Sequence, residues 1–243
     1  MDSMTVNPVI PKLDFRTRES INMLRGNIQM AGFQVKAIAL TSSGEDEGKS
    51  AISFRLADSL AALNKRVLFL DCDIRNSRIK KDYQILQKTV GLSEYLCGHI
   101  SGEELIFHTQ NPCFDIIFSG ASAPNPSELL SGARFSGLIA NLKRRYDYII
   151  ADTPPCNVVV DGVLVAQQCD ATILVVEHGV TDRRDAVRAK EKLAGFGVKI
   201  LGVVMNKVPN DGYRYHRYGR YGYGKYGYGK YGYGTYGDEK SKV

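Results

Sequence analysis

A chain of 243 residues with 44% hydrophobic content is long enough to enclose one large core and too apolar to be disordered throughout. Its net charge of +6 bears on solubility and association, not on fold, and does not by itself call for nucleic acid. The five cysteines, Cys72, Cys97, Cys113, Cys156 and Cys169, form an odd set without paired metal-ligand spacing, which excludes a complete disulfide framework and suits reduced thiols in a cytoplasmic protein.

No basic stretch followed by an apolar run opens the chain, and no segment approaches the roughly 18 apolar residues that span a bilayer. The sequence therefore reads as neither secreted nor self-anchored. In residues 1–35, Ile21, Leu24 and Ile28 share one helical face, predicting a helix docked ahead of the first strand.

Apolar, β-rich runs follow at Val35 to Leu40, Val67 to Leu70, Phe114 to Phe118, Tyr148 to Ala151, Ala171 to Val176 and Val198 to Met205. Between them, Ser50 to Leu63, Ser127 to Arg145, Gly162 to Gln168 and Asp182 to Phe196 carry apolar residues at helical spacing. Strands alternating with helices predict an α/β fold, a predominantly parallel sheet with helices on both faces.

The first strand runs into Thr41-Ser42-Ser43-Gly44-Glu45-Asp46-Glu47-Gly48-Lys49-Ser50, and a helical pattern begins at once. Glycines let such a loop curl its N–H groups around phosphate oxygens, and the positive end of the following helix points the same way. Ser43, Gly44, Glu45, Asp46, Glu47, Gly48, Lys49, Ser50 and Ala51 are thus the candidate nucleotide contacts, with Lys49 on the β and γ phosphates and Ser50 on Mg²⁺. Ser43 stands where the usual motif has its first glycine. A plainer reading is a polar loop capping a helix.

The second strand ends in Asp71-Cys72-Asp73-Ile74-Arg75, two carboxylates and an arginine at the sheet edge where ligands bind in open α/β folds. Their bland alternative is capping of the next turn. A later strand ends in Asp152-Thr153-Pro154-Pro155, and Asp152 reads as the magnesium-associated acid of a phosphate-loop protein. Asn206, closing the last strand, is a candidate base contact.

Past Pro209 the composition becomes Tyr, Gly, Lys and Arg, with the repeats Lys225-Tyr226-Gly227-Tyr228-Gly229 and Lys230-Tyr231-Gly232-Tyr233-Gly234. Such a segment lacks aliphatic residues to offset the entropy of ordering, so residues 210–243 are expected to form a flexible, accessible tail. Tyr213, Tyr215, Tyr218, Tyr221, Tyr223, Tyr226, Tyr228, Tyr231, Tyr233 and Tyr236 lie there and suit phosphoacceptors. A competing reading is stacking on single-stranded nucleic acid.

Together these motifs resemble the bacterial tyrosine kinases of capsular and exopolysaccharide synthesis, in the cytoplasmic form that works with a separate membrane adaptor. Gly91-Leu92-Ser93-Glu94 and Asn125-Pro126-Ser127-Glu128-Leu129-Leu130 also look like family segments. The resemblance covers nearly the whole chain and implies an ATP- and Mg²⁺-dependent kinase core at 36–209 that phosphorylates its own tail between subunits.

By that resemblance Asp73 and Asp152 support the metal through water, Asp71 orients and deprotonates the tyrosine hydroxyl, and Lys49 and Arg75 complete the catalytic set. The implied partners are a polysaccharide co-polymerase type adaptor at the inner face of the plasma membrane, protein tyrosine substrates, and further copies in a ring; no nucleic acid is expected. Ring contacts in the family use Glu-x-x-Arg-x-x-Arg-Thr. Here Glu19 and Arg25 remain, while Asn22 and Gly26 replace an arginine and the threonine. The alternative is a ParA- or MinD-like ATPase switch, which shares the phosphate loop but has no use for ten exposed tyrosines.

Overall fold

The computed structural model describes residues 4–32 and 34–209; the expected tail, residues 210–243 with its ten tyrosines, falls outside the described residues. The elements are α1 (Phe15–Met30), β1 (Ala37–Ser42), α2 (Lys49–Ala61), β2 (Val67–Asp71), α3 (Ile79–Asp82), α4 (Leu92–Leu96), β3 (Phe107–His108), β4 (Phe114–Ile117), α5 (Pro126–Ser131), α6 (Ala133–Arg145), β5 (Tyr148–Asp152), α7 (Asp161–Gln168), β6 (Ala171–Glu177), α8 (Arg183–Gly195) and β7 (Ile200–Asn206). Seven strands form one sheet in the order β3-β4-β2-β5-β1-β6-β7, parallel except for the short edge strand β3.

The central strands are buried on both sides, which is why they read as continuous apolar runs and not as alternating ones. Ile38 and Leu40 of β1 face a core shared with α1 and α2, whereas Ala37 and Ala39 face the helices of the other side. Asp14 caps α1 by accepting from the Arg16 and Thr17 N–H groups at 3.0 and 3.1 Å. As the spacing predicts, Ile21 and Ile28 are buried, with Leu24 packed against the same core.

Two differences from the sequence reading have physical causes. The single helix expected from Ser127 to Arg145 breaks at Gly132, whose extended backbone (φ −74°, ψ 158°) ends α5 and opens α6. Leu130 and Phe135, on either side of the break, enter one core cluster, so the periodicity runs on through it. Strand β3 has only two residues, too few to show a pattern, and its His108 also bridges to Thr5.

Phe54 of α2 is fully buried, stacked on Tyr83 at 3.7 Å between centroids and tilted against Phe69 and Phe114 at 5.1 and 5.3 Å. Phe54→Ala is expected to lose about 3–5 kcal/mol of stability, read by denaturant unfolding; a loss below about 1 kcal/mol would contradict this packing.

Candidate active site

Strand β1 delivers Thr41 and Ser42, both buried, to the carboxyl edge of the sheet, and α2 starts at Lys49. Gly48 between them has φ +85°, and a Cβ built there lies 2.0 Å from Asn206 Nδ2. Both the left-handed backbone and the close approach require glycine. The first turn of α2 has no side-chain cap, so its N–H groups are oriented for an anion.

The loop is braced from within. Ser42 Oγ donates to Gly44 O at 2.6 Å, and Asn206 Nδ2 donates to Glu47 O at 2.9 Å. The Glu47 carboxylate is turned inward and 5% exposed, accepting from the Ser43 N–H and hydroxyl and from the Thr181 hydroxyl at 2.9, 2.7 and 2.6 Å. Glu47 therefore shapes the loop from inside it. Glu45 and Asp46 are exposed, and Asp46 pairs with Arg78 at 3.0 Å. Gly48→Ala is expected to weaken Mg-ATP binding about five- to thirtyfold, since a left-handed alanine costs about 1–2 kcal/mol; titration calorimetry reads it, and unchanged affinity would count against this loop as the phosphate cradle.

Strands β2 and β5 are neighbours in register, so Asp71 lies opposite Asp152, which in turn neighbours Leu40 of β1. The strand order thus brings together two residues far apart in the sequence, beside the phosphate loop. Both are 1% exposed. Asp152 accepts from Ser53 Oγ at 3.0 Å. Burial raises its carboxyl to about 6, against the Lys49 charge and the Ser50 and Ser53 hydroxyls, which pull it down. Burial, and then the Asp152 charge, raise Asp71 to about 7. Asp71 accepts from the Asp73 N–H at 3.2 Å and from the Ser77 hydroxyl, and Asp73 accepts from the Asn76 N–H at 2.9 Å.

The donor set suits Mg-ATP. Among the described residues no group of three or more His, Cys, Asp or Glu side chains could hold a metal by itself. Magnesium, however, keeps much of its water and takes phosphate oxygens, so a hydroxyl at Ser50 with carboxylates at Asp73 and Asp152 is an appropriate surround.

Other candidates fall further out. Arg75 is held by Asp161, Nε to Oδ2 at 2.6 Å, and Ser127 Oγ donates to the same carboxylate at 2.5 Å. Arg75 therefore ties the turn after β2 to α5 and α7. Asp161 was not singled out from the sequence, where it is only the polar residue opening an apolar helix. Arg25 donates to Ser59 O and Oγ at 2.9 and 2.8 Å, joining α1 to α2 of the same chain, and Glu19 accepts from Asn22 at 3.1 Å.

Fold and site define a phosphate-loop nucleotide-binding protein. A family model described as an AAA domain matches residues 35–181. The tyrosine-protein kinase CpsD of Streptococcus agalactiae is 39% identical over 207 residues, covering 85% of this chain and 90% of that protein. The kinase domain of the Escherichia coli tyrosine kinase ETK superposes with a TM-score of 0.76 at 29% identity, over 88% of this chain and 80% of that one. The septum site-determining protein MinD of Pyrococcus horikoshii, at 21% identity and TM-score 0.60 over 70% of this chain and 69% of that one, shares the fold alone. The chain belongs to the bacterial tyrosine-protein kinase family.

Proposed function

We propose that this chain binds Mg-ATP through residues 43–51 and phosphorylates tyrosines, the ten in its own tail among them, by transfer between subunits. The observation that carries the reading is the register of β2 and β5, which sets Asp71 opposite Asp152 next to Lys49 and Ser50. When bound, Mg-ATP supplies the phosphoryl group and a cation that neutralises charge developing between the β and γ phosphates.

The chain's own residues do the rest. Loop N–H groups and Lys49 hold the phosphates, Ser50 takes the metal directly, and Asp73 and Asp152 hold its waters. Asp71 would orient the acceptor hydroxyl and take its proton at a carboxylate oxygen while the phenol oxygen replaces ADP on the γ-phosphorus, the bond from that phosphorus to the bridging oxygen breaking as the new one forms. Burial makes Asp71 a stronger base than an ordinary carboxylate, and a loose transition state demands only late proton removal. Arg75 acts by bracing the Asp71 to Arg75 segment against α5 and α7. Asn206 holds the loop carbonyl of Glu47 and is the candidate contact to the base.

The same reading places the enzyme in surface-polysaccharide synthesis or export, at the inner face of the plasma membrane. None of the described helices is long and apolar enough to cross a membrane, so recruitment would fall to a membrane adaptor. Glu19 on α1 is available for ring contacts, with Arg25 engaged inside its own chain.

Mixing two variants tests transfer between subunits. A Lys49→Met chain serves as acceptor, and a chain with all ten tail tyrosines changed to phenylalanine serves as donor, with the adaptor's cytoplasmic segment present. Phosphate on the Lys49→Met chain supports the reading. A Lys49→Met chain left without phosphate in that mixture, under conditions in which the unaltered chain phosphorylates its tail, would contradict it.

A further inference from the structure

A residue that handles an acceptor hydroxyl has to be touched by it, yet Asp71 is 1% exposed. The cover is specific. Asp71 Oδ2 accepts from the hydroxyl of Ser77, and Oδ1 accepts from the Asp73 N–H at 3.2 Å. Ser77 sits in the turn 74–78, which is fastened by the Asn76 N–H to Asp73 Oδ1 at 2.9 Å and by Arg78 to Asp46 of the phosphate loop at 3.0 Å.

A serine hydroxyl and a tyrosine hydroxyl make the same donor bond to a carboxylate. We propose that Ser77 occupies on Asp71 the place that the acceptor tyrosine hydroxyl takes during transfer, so that Ser77 sets acceptor affinity and the turn 74–78 lifts when a tyrosine enters. This rests on the reading of Asp71 as the acceptor-orienting group. Ser77 takes no part in bond making; it competes with the substrate for one oxygen.

The fastening supports a movable cover. The Arg78–Asp46 pair has 54% and 81% of its two side chains exposed, a setting in which ion pairs hold weakly. Asp46 also has φ 55°, a left-handed backbone uncommon for a non-glycine residue, so that end of the latch lies in a loop conformation maintained by its contacts. Rearrangement of the loop around phosphates alters the hold on the turn, which couples nucleotide binding to acceptor access.

The test uses the full-length protein with the adaptor's cytoplasmic segment and a synthetic peptide of sequence 225–234 as acceptor, at saturating Mg-ATP, with KM and kcat measured separately. Ser77→Ala is expected to lower the peptide KM about tenfold, because a competing hydrogen bond to a charged group is removed, while kcat does not fall and the KM for ATP stays put. Ser77→Thr keeps the hydroxyl and the parent KM. Arg78→Ala, which frees the turn without touching Asp71, lowers the peptide KM in the same direction and carries the test should Ser77→Ala fold poorly.

An unchanged peptide KM in Ser77→Ala overturns the proposal, as does a fall in kcat at constant KM, which would make Ser77 a support for Asp71. In either case Asp71→Asn remains inactive and the kinase reading stands. Wild-type transfer by Asp71→Asn would remove the reading of Asp71 and the proposal with it.

Discussion

Lys49→Met is expected to lower phosphoryl transfer by on the order of a thousandfold or more while leaving the fold intact. Lys49 begins α2 directly after Gly48, half-buried, and its charge is the largest favourable influence on ionised Asp152. Methionine keeps the length of the stem and removes the cation, so the loss falls on the phosphates and on Asp152, whose carboxyl rises further. The check pairs a phosphotyrosine assay with a melting curve. An active variant, or an inactive one that has unfolded, would contradict the role assigned to Lys49.

Asp71→Asn is expected to abolish transfer and at the same time stabilise the nucleotide-free protein above neutral pH. The sign follows from linkage. The Asp71 carboxyl is raised to about 7 in the fold, by burial first and then by Asp152, so the folded state holds its proton where the unfolded chain has released it. Its favourable contribution is complete below the unfolded value near 4 and is lost as pH rises to about 7. Asparagine removes that dependence. The gain in melting temperature should be nil near pH 4 and largest at pH 8, where about 1 kcal/mol or more corresponds to at least about 2–4 °C. A variant less stable than the parent at pH 8 would mean that the Ser77 and Asp73 hydrogen bonds outweigh the charge burial.

Parts of the site were legible in the sequence and others were not. Gly48, Lys49 and Ser50 could be read because a buried strand, a glycine-bearing loop and a helix follow one another directly. The parallel sheet could be read because its strands are buried on both faces and therefore lack alternation. That Asp71 lies opposite Asp152 depends on strand order, which periodicity does not reveal. The sequence offers Glu45, Asp46 and Glu47 alike as nucleotide contacts, but the hydroxyls of Ser43 and Thr181 and the Ser43 N–H give Glu47 an interior place. Thr181 is 134 residues away from it, and no local pattern announces such a partner. The same holds for Arg75, whose motif position suggests chemistry while its guanidinium is committed to Asp161. Gly132 was legible as a glycine but not as a break, because the helices on both sides serve one core.

The most direct test of the central claim is the intact mass of the full-length protein before and after Mg-ATP, with the adaptor's cytoplasmic segment and with a Lys49→Met control beside it. Successive gains of about 80 Da, one per phosphate, that map to tyrosines between Tyr213 and Tyr236 and vanish in the control are the predicted result. Hydrolysis of ATP with unchanged mass would contradict the account and favour an ATPase switch built on the same fold.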